Sequence, residues 1–167
     1  MAQGNTAWTE IDAARHYSLS LLDDFSQKDW FRQPAEGVTH IAWQVGHLSA
    51  AQYLLGLTRL RGELPADKEI VPPEFLTLFI RGSVPDPDPA KYPAPEKILA
   101  TLERIHSLVR DEIAKYSDES LAQPAIGKPH SQFTTKLGSL FWCARHEMLH
   151  GGQIGLLKRL LGASARW

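Results

Sequence analysis

Cysteine is nearly absent: Cys143 is the only one in 167 residues. One thiol excludes an intrachain disulfide and any multi-cysteine zinc module. Excess charge of one sign is also missing, with 18 Lys and Arg against 19 Asp and Glu. That balance excludes a strong non-specific hold on nucleic acid or on an anionic membrane surface. No run approaches the ~18 apolar residues of a transmembrane helix. The segment Met1 to Thr6 has neither a basic stretch nor an apolar one, so no signal peptide is read and a cytoplasmic, soluble protein is expected. Valine is scarce, at five residues against 22 leucines. Leucine loses little rotamer freedom in a helix and β-branched valine loses more, so helices are favoured over strands.

What is present is ordinary globular composition, 43% hydrophobic and 22% charged. The length suits one domain, over residues 1–167. Four stretches have helical period. The first runs from about Ala7 to Ser26, with Ile11, Ala14, Ser18, Leu21, Leu22 and Phe25 on one stripe. The second runs from about His40 to Arg61, with Thr39 as the expected N-cap and Gly62 as the stop. The third runs from about Pro95 to Tyr116, where Ile98, Leu102, Ile105, Val109, Ile113 and Tyr116 step by three or four. The fourth runs from about Lys136 to Leu161, capped by Thr134 or Thr135 and stopped by Gly162.

Four amphipathic helices of this length read as an all-α four-helix bundle. Eight of the 11 prolines fall between Pro65 and Pro95, in the long connection from helix 2 to helix 3. A connection that long is either functional or a crossover, and it allows helices 2 and 3 to run parallel. Within it, Pro73 to Ile80 reads as a short helix whose Phe75, Leu76, Phe79 and Ile80 lie over one end of the bundle.

Seven histidines punctuate these helices. His16, His106 and His130 read as surface or hydrogen-bonded residues. His146 and His150 differ, because an i,i+4 pair lies one turn apart with directions about 40° apart. Two imidazoles so placed can reach one metal ion. A pair near a helix C-terminus can also merely complement the dipole, so a third ligand is needed. Helix 2 offers His47, whose face looks inward by the same periodicity. His40 shares that stripe at i−7, but a first-turn position is prone to fraying.

The run His146-Glu147-Met148-Leu149-His150 also matches H-E-x-x-H, a metalloprotease pattern. No His, Asp or Glu follows His150, so the downstream third ligand of such enzymes is lacking. Glu147 points about 100° away from His146 and is as well read as a helix-flank charge. Cys143, nearly one turn before His146, is open to reading as a fourth ligand or a reactive thiol, with a small buried hydrophobe as the default. Gln153, on the histidine stripe, reads as ordinary helix packing or as a support behind the histidines. Trp30, Phe31, Trp142 and Trp167 offer aromatic area for a core or an interface. Arg59, Arg61, Lys158 and Arg159 read as cations at helix C-termini rather than as a nucleic-acid stripe. Lys68, Arg81 and Lys91 read as a solvated loop surface, with binding of an acidic thiol cofactor as the alternative.

Two motifs, Ile41-Ala42-Trp43-Gln44-Val45-Gly46-His47-Leu48 and His146-Glu147-Met148-Leu149-His150-Gly151-Gly152-Gln153-Ile154, resemble those of the DinB-like superfamily, which includes the YfiT-like thiol transferases and metal-dependent hydrolases. The resemblance implies a bundle of up-down-down-up order. It implies a divalent metal ion, zinc or nickel foremost, held at the positions of His47, His146 and His150. It further implies a small-molecule substrate, a low-molecular-weight thiol as cosubstrate in the transferases, and a homodimer. Position 152 is Gly, where the sulfoxide synthase relatives carry Glu, so oxygenation of their kind is not expected.

Overall fold

The computed structural model describes residues 2–23 and 25–163. Expectations that fall on Trp167 therefore lie outside the described residues. The fold is all-α. α1 is Gln3–Ser20. α2 is Ile41–Tyr53, prolonged by a π-helical stretch, Leu54–Thr58, and a last turn, Arg59–Arg61. α3 is the short crossover helix Pro73–Phe79, α4 is Pro95–Ile113, α5 is Asp118–Leu121 and α6 is Lys136–Leu160. The four long helices are those the periodicity predicts. α1 starts and stops earlier than expected, and α5 has no counterpart in the sequence reading. Thr135 caps α6, its hydroxyl accepting from the Gly138 N–H at 3.1 Å.

Cross-helix contacts fix the relative directions. Arg15 meets Glu147, Tyr17 meets Gly151 and Lys158 reaches Leu21, so α1 and α6 run parallel. Gln52 meets His106 and Gly56 meets Val109, so α2 and α4 also run parallel. Gln44 meets Gln153 while Leu55 meets Ser139, so α2 and α6 are antiparallel. These pairings are compatible with a four-helix bundle of up-down-down-up order, and the long proline-rich connection is what permits the parallel α2–α4 pair. Ile11, Ile41, Leu60, Ile98, Leu102, Ile105, Leu140 and Ile154 are among its fully buried side chains. Trp30 and Cys143 are also in this core, the thiol being pushed up by burial.

The bundle's interior carries a polar network that the sequence reading did not foresee. Arg15 and Glu147 are both 2% exposed. The Arg15 guanidinium donates to both Glu147 carboxylate oxygens, at 2.6 and 3.1 Å, to the Gln52 side-chain carbonyl at 2.7 Å and to the Leu102 backbone carbonyl at 3.1 Å. The Gln52 amide then donates to His106 Nδ1 at 3.0 Å, which leaves His106 Nε2–H to donate to Asp12 at 3.0 Å. One chain of hydrogen bonds thus joins α1, α2, α4 and α6. His106 is hydrogen-bonded, as its class predicts, but within the bundle rather than on its surface. His16 is an exposed surface residue.

The cations assigned to helix ends do more specific work. Lys158 is buried and its ammonium donates to the Leu21 carbonyl, closing the end of α1 rather than its own helix. Arg61 pairs with Asp67 at 2.7 Å and approaches Glu112 at 3.5 Å, which pins the start of the crossover against α4.

Removing one partner of a buried ion pair strands the other charge in the interior, at a cost of about 3–5 kcal/mol. Glu147→Ala is therefore expected to lower the urea midpoint strongly. The double variant Arg15→Met with Glu147→Leu should recover most of that loss. A single variant with the midpoint of the parent chain would remove the pair from this role.

Candidate metal centre

The rotation of α2 is set at its first turn. His40, not Thr39, is the N-cap: its Nδ1 accepts from the Trp43 N–H at 3.1 Å, and its Nε2–H donates to the Asp86 carbonyl at 3.0 Å. The ring is fully buried, and burial pushes its pKa down to about 4. Far from fraying, His40 is locked, with both ring nitrogens engaged and none left for a cation.

From that cap, α2 carries His47 to the face of α6 that bears His146 and His150. The ligand-capable atoms of the three residues all lie within 4.8 Å of one another. Ring centroids are 5.2 Å apart for His47 and His146, 4.6 Å for His47 and His150, and 4.5 Å for His146 and His150. The Trp43 indole stacks on His47 at 4.7 Å with the planes 7° apart.

Two of the rings are oriented from behind. His47 Nδ1–H donates to the Phe79 carbonyl at 2.7 Å, which leaves Nε2 unprotonated and free. His150 Nδ1–H donates to the Gln44 side-chain carbonyl at 2.6 Å, with the same result. Gln44 is itself fully buried, and its amide group donates to Gln153 at 3.0 Å and to Thr39 at 3.2 Å. Gln153 thus takes part in the support of the site, the alternative to ordinary packing that its place on the histidine stripe offers. Gln44 was missed, although it falls one turn before His47 on the same motif.

Burial pushes the pKa of all three rings down, to about 4 for His146 and about 3 for His150, and the neighbouring imidazoles push those two further in the same direction. Neutral imidazoles with a free nitrogen are the donor form that metal ions require. A hydrogen bond on the far ring nitrogen is the usual orienting device at histidine metal sites. The donor set therefore fits a divalent cation.

The crossover completes the site, rather than only covering it. Phe79 of α3 is fully buried, and its ring lies where Gly46 has no side chain: a Cβ at Gly46 would come within 2.4 Å of it. Only glycine at position 46 lets α3 approach closely enough for the Phe79 carbonyl to reach His47. Cys143 is one turn from His146 but lies outside the group that can hold an ion. Glu147 is committed to Arg15 and faces away, so the H-E-x-x-H pattern has no available base.

His47 and His146 also line a cleft of about 810 Å³, whereas His150, held by Gln44, is not part of its lining. The π-helical stretch contributes Leu54, Leu55 and Thr58 to its wall, and Trp142, His130 and the segment from Ile126 to Lys128 face it. π-turns are frequent at functional sites, and this one displaces the end of α2 at the cleft. Trp142 is half-buried there, while Trp30 belongs to the core.

A family model described as the DinB superfamily matches residues 10–154. No curated protein matches the chain. Loss of a residue that orients a metal-bound histidine typically weakens metal affinity about 10–100-fold. Gln44→Leu is expected to fall in that range in a competition titration with a chromophoric chelator. Unchanged affinity would show that the His150 ring is held without Gln44.

Proposed function

The chain belongs to the DinB superfamily, and from that premise we propose that it is an enzyme dependent on a divalent metal ion, which His47, His146 and His150 would hold. The reaction proposed is transfer of a low-molecular-weight thiol to an electrophile, with hydrolysis of a small substrate as the alternative. The observation that carries the reading is the convergence of three neutral imidazoles, two of which face an open cleft. Three imidazoles suit zinc or nickel.

When bound, the ion would supply positive charge that favours the deprotonated form of a nearby thiol or water molecule. The chain's own residues do the rest. Phe79 and Gln44 hold two rings in the tautomer that presents Nε2. Trp43, stacked on His47, excludes water from one side. Trp142 and the leucines of the π-helical stretch give the cleft an apolar wall for a substrate body. The commitment of Glu147 to Arg15 favours thiol over water, because a thiol is far more acidic and needs no carboxylate base beside it.

A homodimer is part of the proposal. Leu149, Leu156 and Leu160 of α6 remain exposed and fall on one stripe, a suitable apolar contact. Sedimentation of the chain as a monomer at micromolar concentration would remove that part.

The metal is tested by elemental analysis of untagged protein and of His47→Ala. Near-stoichiometric ion is expected in the parent chain and little in the variant, whereas full retention would exclude His47 as a ligand. Chelation should abolish thiol-conjugating activity while leaving the melting temperature nearly unchanged. A sharp fall in melting temperature would instead favour the other reading, a bundle that binds its metal for structure and dimerises without turnover.

A further inference from the structure

The cleft beside the histidines differs in charge from the chain as a whole. The formal net charge is -1, yet Arg59, Arg81 and Lys128 line the cleft against a single carboxylate, Glu63. Their roles divide by geometry. The Arg59 guanidinium donates to the carbonyls of Ile126 and Lys128, at 2.8 and 2.6 Å, and lies 5.5 Å from the centre of the Phe133 ring. It is a brace that folds the segment from Ile126 to Lys128 against the end of α2. Arg81, immediately after α3, and Lys128 are exposed and make no ion pair with any described carboxylate. Lys91, further along the same crossover, is by contrast neutralised by Asp86. Arg59 and Arg81 together influence the cleft interior, since after burial their charges push the His130 imidazole pKa down.

We propose that Arg81 and Lys128 form an anion-binding subsite at the mouth of this cleft, and that the natural substrate or thiol is a small acid whose carboxylate or phosphate is held there while its other end reaches toward His47 and His146. The inference rests on the proposed site but does not need a metal ion to be tested. A planar guanidinium recognises either anion through paired hydrogen bonds, and an ammonium adds a second positive contact. Leu54, Leu55 and Ile80 line the same cleft and suit the short carbon skeleton of such an acid. In this proposal Arg81 takes the second of its two sequence readings, a contact for an acidic ligand rather than solvated loop surface alone.

The test is calorimetric titration of the full-length protein, as purified, with succinate, with inorganic phosphate and with neutral succinamide. An anion is expected to bind and succinamide is not. Tighter succinate identifies a carboxylic acid as the ligand class, and tighter phosphate a phosphate ester. Arg81→Gln combined with Lys128→Gln, both at exposed loop positions, should weaken the anion at least roughly tenfold. Lys68→Gln, an exposed crossover lysine outside the cleft, should leave it unchanged. Binding that survives the double variant, falls equally in Lys68→Gln, or is absent for both anions overturns the proposal. His47→Ala separates it from the metal reading: retained anion binding in a metal-poor variant supports the subsite on its own, whereas anion binding lost in His47→Ala alone assigns the anion to the ion and overturns the subsite.

Discussion

The pairing of Arg15 with Glu147 inside the bundle is the constraint around which the rest is arranged. Two charges taken out of water recover little net free energy compared with apolar residues of similar size. What the pair fixes is rotation. Glu147 must face α1 and α4 to meet the guanidinium, and on a helix of about 100° per residue His146 and His150 then lie about 100° and 60° round on the same side. That side is the one α2 packs against. Because Arg15 also donates to Gln52, the same cation sets α2 one layer away from His47. The polar layer and the histidine layer therefore share their helices and their register.

The parallel pairing of α2 with α4 gives the chain a long connection, and the protein uses it. A short hairpin between antiparallel neighbours could not return to the side of α2 and place a carbonyl behind His47. Here α3 does so, anchored by Phe79 over Gly46 and, at the start of the connection, by Arg61 with Asp67. Prolines set the ends of these pieces, at Pro65, Pro72, Pro73, Pro89 and Pro95, where a missing N–H costs nothing.

Helix positions were legible because apolar periodicity is a local property: leucine, isoleucine and valine recur at three and four in three of the long helices, and small residues around Ile11 do so in α1. The convergence of His47 with His146 and His150 was legible from spacing joined to family likeness. The supports were not, because a hydrogen bond between helices depends on tertiary position. Gln44 looks like any polar residue in a helical run until α6 is placed beside it, and His40 looks frayed until Asp86 arrives from the crossover. Arg15 did leave a trace: it falls beside Ala14 and one turn from Ile11 on the inward stripe, and a cation there calls for a buried carboxylate. Glu147, about 100° from its neighbouring histidine, was that carboxylate. The π-helical stretch leaves no comparable mark in composition, since Leu54–Thr58 continues the α-helical period of its flanks.

The bond from His47 to the Phe79 carbonyl makes two equilibria into one. Whatever loosens the seat of α3 frees the imidazole to turn, and any cation that requires the imidazole unturned must tighten that seat by an equal free energy. Thermodynamic reciprocity then assigns the proline-rich connection a second character, that of a reporter. Its protection from solvent exchange, far along the chain from residue 146, would register a cation held by the three histidines.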